Sequence, residues 1–254
     1  MDNPIITIYC AFTRGWVVER WLDNLKNLDY DRGLINLAFI IDIDDPYIAI
    51  NLGKEERNYR GFRIRINRDW QPNEVRPIER RKRIAVIKNQ SKKLISELDS
   101  DLVLGLEDDT VFEDLNLKRF INKLKPDTGI IEGVQCGRWN SKMIGAWKFD
   151  DIDDPTEVVT LLPGKGFEEI DAGGFYGYLI SRENYLAIPY QYNGEPWGPD
   201  VNAGIWLRKQ RLTNYIDWET KFGHNDHNVL IKPDSDIIQY KFKKLNDTWV
   251  SVIP

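Results

Sequence analysis

Several things are scarce in this 254-residue chain, and each scarcity removes a class of protein. Its 2 cysteines, Cys10 and Cys136, lie far apart in apolar, strand-like contexts, so no disulfide framework is implied. Buried free thiols in a reducing compartment are the expectation. There is no excess of positive charge: a net charge of -5 and a pI near 5.3 give no global field for nucleic acid or an anionic membrane. Any phosphate-binding surface must therefore be local. No stretch approaches the roughly 20 apolar residues needed to span a bilayer. The N-terminus, M-D-N-P-I-I-T-I-Y-C, has neither the basic nor the apolar region of a secretory signal, and a soluble cytoplasmic protein is expected. Repeats and low-complexity linkers are absent too, and the length suits one large α/β domain. Aromatics, by contrast, are plentiful: 9 Trp, 11 Tyr and 10 Phe can fill a core or offer flat faces to sugars and bases.

Hydrophobic periodicity arranges the chain as alternating strands and helices. Ile5 to Ala11 is a β-branched and aromatic run after Pro4, and Thr13-Arg14-Gly15 turns it. From Trp16 to Leu28 apolar residues recur at helical spacing. Leu34 to Ile43 is a buried-type strand closing in Asp42-Ile43-Asp44-Asp45-Pro46, which completes a parallel βαβ unit. Phe62 to Ile66 reads as a short strand. Glu79 to Leu98 is the longest helix, with Ile84, Ile87, Leu94, Ile95 and Leu98 apolar, and with Arg80 to Arg83, Lys88, Lys92 and Lys93 making it the most basic segment. Leu115 to Leu124 reads as a short helix and Thr128 to Gln135 as a strand. Trp139 to Phe149 and the acidic run Asp150 to Pro155 read as an irregular excursion, a lid or acceptor loop. Val201 to Gln210 is a helix, Tyr215 to Trp218 a final short strand, and Lys221 to His227 a polar loop; Asp234 to Pro254 has no readable pattern.

The stretch Asp101 to Glu113, D-L-V-L-G-L-E-D-D-T-V-F-E, carries the chemistry. Leu102 to Leu106 suits a strand buried on both faces, and it ends abruptly in Glu107-Asp108-Asp109. Open α/β sheets bind ligands at the carboxyl ends of their strands. Adjacent carboxylates resist joint ionisation unless a cation lies between them. Hard oxygen ligands suit Mg²⁺ or Mn²⁺, which commonly bridge carboxylates to substrate phosphates. A solvated acidic turn is the plainer alternative; the position directly after L-V-L-G-L favours the metal site. Asp42 and Asp44 stand at the second strand's end, where an acid could hold a base or ribose, and Thr13 and Arg14 stand at the first. Cations near one end of the basic helix could face a diphosphate. Gly173 and Gly174, in D-A-G-G-F-Y-G-Y, either let backbone approach a ligand or form a plain turn. Asp200 opens the Val201 helix, where an Asp often serves only as a cap. His224 and His227 are the chain's only histidines, and their pairing in a polar segment makes a ligand role plausible.

These signals stand in an order that resembles the GT-A fold glycosyltransferases, family 2 type, over about the first 227 residues. The order is E-D-D after an apolar strand, the G-G of D-A-G-G-F-Y-G-Y, an acid opening the helix of W-G-P-D-V-N-A-G-I-W-L-R-K-Q, and a late His in K-F-G-H. The G-P-D helix looks most like the family's G-E-D helix, and Lys88-Asn89 looks more weakly like its Ala-x-x-Arg-Asn stretch. The resemblance implies a Rossmann-like GT-A fold, with a central, mostly parallel sheet flanked by helices. Residues 1-110 would form a nucleotide-binding half and 111-230 an acceptor half, with 231-254 as a tail. It further implies Mn²⁺ or Mg²⁺, a nucleoside diphosphate sugar (uridine favoured), and inverting transfer of a hexose or pentose to an acceptor hydroxyl. Matched to the family's D-x-D motif and later signals, Asp109 is implied as direct metal ligand, Glu107 as reaching ribose and metal, His224 as a further ligand or diphosphate contact, and Asp200 as catalytic base. The nucleotide side would draw on Thr13, Arg14, Asp42, Asp44, Arg83, Lys88, Glu107, Asp108, Gly173 and Gly174. Three departures stand out: Glu107 is where the motif's first acid is usually Asp, Pro199 replaces the acid before Asp200, and His227 could substitute for His224.

Such a transfer needs the leaving diphosphate neutralised and a base for the acceptor's proton, which these residue types supply. A sugar-phosphate nucleotidyltransferase could share the architecture, but T-R-G-W is no glycine-rich phosphate loop. A Ca²⁺-dependent carbohydrate-binding module would use the acids and aromatics, yet fits the βαβ opening poorly. The expected acceptor is a saccharide or protein. Modified DNA ranks lower, since it would need a local patch such as Arg76 to Lys93.

Overall fold

Strands that lack alternation in the sequence do so because both of their faces are covered. A computed structural model describes residues 3-67, 77-135, 143-195, 197-226, 229-231, 237-246 and 248-252. In it β1 (Ile6–Phe12), β2 (Ile35–Ile41), β3 (Gly61–Ile66) and β4 (Leu102–Glu107) pair in parallel, in the order β3-β2-β1-β4. Beyond β4 the direction mixes. β11 (Gly177–Ser181) runs antiparallel between β4 and β6 (Thr128–Val134), β12 (Thr213–Lys221) is parallel to β6, and β9 (Phe167–Ile170) closes the eight-stranded sheet antiparallel to β12. The result is a mixed α/β fold with a large, mostly parallel central sheet, consistent with a Rossmann-like architecture.

Helices cover both faces. Under one lie α1 (Val18–Lys26), α2 (Pro46–Gly53) and α4 (Leu117–Ile121), which bury Trp21, Leu25, Ile48 and Phe120 against Ile6, Ile8, Cys10 and Phe12 of β1. Trp21 meets Phe12, Phe39 and Phe112 edge-on at 5.3 to 5.6 Å, a geometry that adds about 0.5–1.5 kcal/mol per pair beyond area burial. On the other face α3 (Pro77–Ser96), α5 (Arg182–Ala187) and α6 (Pro199–Lys209) pack Ile87, Ile95, Tyr185 and Leu207 against Tyr9, Val103 and Tyr178. Gly105 is needed in β4 because the Tyr178 ring crosses it: a Cβ there would lie 2.1 Å from Cζ of that ring.

Three expectations are corrected. The excursion after Gln135 is partly regular, since β7 (Ala146–Phe149) and β8 (Glu157–Thr160) form a hairpin and the acidic run is its turn. There the Asp150 carboxylate accepts from the Thr156 and Glu157 backbone at 3.0 and 2.8 Å, so these acids organise a turn. The unpatterned tail supplies β15 (Lys241–Leu245) and β16 (Thr248–Val252), which with β10 (Ala172–Gly173) complete a second sheet ordered β10-β7-β8-β15-β16. Finally, the polar loop at Lys221 is a strand, β13 (Gly223–Asp226), held between β5 (Thr110–Val111) and β14 (Val229–Ile231). Cys136, Trp139, Arg76 and His227 lie outside the described residues.

Candidate functional site

Because β1, β2, β4, β6 and β12 point the same way, their carboxyl ends emerge along one edge of the sheet. Two clusters of ionisable side chains form there. At the ends of β1 and β4, Asp108 and Asp109 are almost fully buried, 4% and 2% exposed, which two carboxylates tolerate only with strong partners. Asp108 Oδ2 accepts from the Thr13 backbone N–H at 2.8 Å and from its hydroxyl at 3.0 Å. The Arg14 guanidinium bonds Asp108 Oδ1 and sits 2.9 Å from Asp109 Oδ2, so one cation spans both acids. His224 Nε2 lies 3.0 Å from the same Asp109 oxygen. The short sheet explains its arrival: His224 pairs with Thr110, and the Asn225 N–H donates to the Asp109 carbonyl at 2.8 Å.

On the nucleotide side the expected residues divide. Asp42, wholly buried at the end of β2, accepts from Arg83 Nε at 3.0 Å and from Asn67 Nδ2 at 2.8 Å, and Asn67 also donates to Gln90. Asp42 and Arg83 are thus brought together, as one ion pair between β2 and α3. Asp44 is exposed in the turn before α2, whose cap is Asp45.

The second cluster lies between β6, β11, α3 and α6. Lys88 of α3 donates to the Tyr178 phenol at 3.0 Å and lies over the rings of Tyr178, Tyr9 and Phe175, 4.8 to 5.6 Å from their centroids. Burial lowers its ammonium from the usual 10.5 to about 8, while the charges of Glu107 and Asp200 hold it up. Asp200 is the second residue of α6, not its cap, which is Gly198. Asp200 is half-buried, and desolvation raises it to about 6; backbone hydrogen bonds and the charges of Lys88 and Arg81 limit the rise. Glu132 of β6 completes the group. It is pushed well above the carboxylate range by burial first and by Asp200 second, and its Oε1 has no hydrogen-bond partner among the described residues.

Gly173 is required here for a reason the sequence could not show: a Cβ would come within 1.9 Å of both Glu132 oxygens. Glu132 itself was missed. A single Glu in T-G-I-I-E-G-V carries no motif, and only its pairing opposite Tyr178 reveals that it faces Lys88 and Asp200. Gln135 was missed for the same reason; it bonds Thr110 and the Gly223 carbonyl, and so ties β13 to the acidic turn.

No three His, Cys, Asp or Glu side chains among the described residues converge closely enough to surround an ion unaided. Asp109 and His224 offer an oxygen and a nitrogen donor, a mixed pair that suits Mn²⁺ with substrate phosphates better than the oxygen-demanding Mg²⁺, and Arg14 stands 2.9 Å from the same Asp109 oxygen.

Fold and site are those of a Rossmann-like α/β protein with a paired-acid cluster and a second cluster of Lys88, Glu132 and Asp200 on one sheet edge. Among solved structures the chain is similar to A197 from STIV, with a TM-score of 0.52, 11% identity, and 91% of this chain and 95% of that one covered. It is likewise similar to the mannosyltransferase PcManGT from Pyrobaculum calidifontis in complex with GDP-Man and Mn2+, with a TM-score of 0.52 and 10% identity; the match covers 93% of this chain but 59% of that one. At these identities the likeness is one of fold. No family model matches the chain, and no curated protein matches it by sequence. Among the described residues no helix is long and apolar enough to cross a membrane.

Proposed function

We propose that the chain is a glycosyltransferase of the GT-A type that moves a sugar, with inversion, from a nucleoside diphosphate sugar to an acceptor hydroxyl. What carries this reading is the division of labour on one sheet edge: a cation-bridged acid pair beside an acid, Asp200, raised to about 6. A structural neighbour that is a mannosyltransferase with GDP-Man and Mn2+ supports the class. Residues 1-110 are the donor half and 111-230 the acceptor half.

In this reading Asp109 and His224 would hold a Mn²⁺ or Mg²⁺ that would neutralise charge on the diphosphate, with Glu107 left to the ribose. Thr13, Arg14 and Asp108 fix the loop after β1 against which the nucleotide lies. The Asp42–Arg83 pair shapes the floor of the base pocket, with Asp44 at its rim. Gly173 and Gly174 keep the backbone close to the sugar. Asp200 accepts the acceptor hydroxyl's proton as the oxygen bonds the anomeric carbon and the sugar–diphosphate bond breaks. A base with a pKa near 6 is largely ionised at neutral pH yet still basic enough to help. Lys88 supports that ionised form.

Nucleotide release from a panel of nucleoside diphosphate sugars, with Mn²⁺, Mg²⁺ or chelator, tests the class. Metal-dependent release from one donor, lost in Asp109→Ala, is expected. If no donor is turned over with any metal, the class is wrong.

A further inference from the structure

A cleft of about 320 Å³ lies beside this edge, between the outer side of α6 and the second sheet, and the site described above does not use it. Asn202, Ile205, Trp206 and Lys209 line one wall, the i, i+3, i+4, i+7 face of α6 opposite its core-facing Val201, Ala203 and Leu207. Trp249 of β16 and Trp197 line it as well. Trp197 is fixed from three sides: its indole N–H donates to Asn202 Oδ1 at 2.7 Å, and its ring meets Phe149 and Trp249 edge-on at 5.4 and 5.0 Å.

We propose that this cleft binds a neutral oligosaccharide, at a site separate from the one to which Asp200 belongs. The proposal rests on the lining and not on the transferase reading. β16, which carries Trp249, is the outer strand of the second sheet, so an extended peptide is the competing occupant that the test includes. The lining favours a sugar through its indole faces and the amides of Gln191 and Asn193, which suit stacked sugar rings and their hydroxyls. Polyanions are disfavoured. The lining has three carboxylates, Asp153, Asp154 and Glu195, against two amines, and one of those, Lys209, is 3.4 Å from Asp153. Asn202 lies two residues beyond Asp200, about 200° around α6, so the cleft and the Asp200 carboxyl lie on different sides of that helix.

The test is titration of the full chain, followed by tryptophan fluorescence and ligand-observed NMR, with neutral gluco- and manno-oligosaccharides of increasing length, an acidic oligosaccharide and an unglycosylated peptide. Neutral oligosaccharides should bind more tightly with length, and Trp249→Ala and, separately, the exposed-loop change Asn193→Ala should each weaken them by about tenfold or more. Preference for the peptide or the acidic sugar, no saccharide binding, or neutral-sugar binding indifferent to both changes would overturn the proposal. Nucleotide-sugar binding is measured alongside. Saccharide binding without it would leave the cleft standing and sink the transferase, and the converse would do the reverse.

Discussion

The acid pair at Asp108–Asp109 and the acid pair at Glu132–Asp200 share one sheet edge but are managed in opposite ways. Asp108 and Asp109 are met by a guanidinium, a hydroxyl, a backbone N–H and an imidazole, so their charge is answered group by group. Asp200 and Glu132 share mainly one amine, Lys88, itself lowered to about 8 by burial, and both acids are raised. A pair answered by a bridging cation is suited to hold charge, and an under-answered pair, with both carboxyls raised, is suited to exchange a proton. In the proposed reading that difference, more than any single motif, separates the donor side from the base.

The largest effect should come from breaking the under-answered pair. Asp200→Asn is expected to lower transfer by about 10²- to 10⁴-fold, read as nucleotide release in the presence of acceptor. It should also stabilise the fold at neutral pH. A carboxyl raised from 3.8 to about 6 lets the folded state bind more protons between those values, so its contribution is fully present below pH 3.8 and lost as pH rises through 6. Asn removes that loss, and the urea midpoint at pH 7 should rise; an unchanged or lower midpoint would speak against a desolvated Asp200.

Breaking the answered pair should do the opposite. Arg14→Ala leaves Asp108 and Asp109 buried without their shared cation and should cost about 3 kcal/mol of stability, with donor affinity falling too. Equal stability of this variant and wild type in denaturant would show that the two clusters are not so different.

Two milder changes sharpen the contrast. The pH–rate profile should rise with an apparent value near 6 and fall near 8, the first for ionised Asp200 and the second for charged Lys88. Lys88→Met should move the acid limb upward, since the ammonium depresses Asp200, and should remove the alkaline limb. Smallest of all, Tyr178→Phe keeps the ring over Gly105 but removes the oxygen that accepts from Lys88. It should cost about 1 kcal/mol of stability and shift the alkaline limb down, because the charged amine loses an acceptor.

Much of this was legible in the chain itself. The unalternating runs in β1, β2 and β4 announced strands covered on both faces, and the acids at the end of β4 marked the candidate site that the proposal rests on. The basic helix was legible as α3, but not its inward turn of Lys88 and Arg83, because periodicity shows which face is apolar and not which cations find buried acids. His224 was placed in a loop because K-F-G-H-N-D lacks strand formers; its strand exists through pairing with β5, a partner more than 100 residues away. Glu132 and the second sheet were hidden for the same cause. The short strands β7, β8, β15 and β16 are stabilised by one another, and isolated segments of 4 or 5 residues carry little signal.

One measurement reaches the centre of the account: calorimetric binding of nucleoside diphosphate sugars with Mn²⁺ and with chelator, to wild type, Asp109→Ala and Asp200→Asn. The division of labour predicts metal-dependent binding that Asp109→Ala abolishes and Asp200→Asn retains. Binding lost in Asp200→Asn and kept in Asp109→Ala would contradict it.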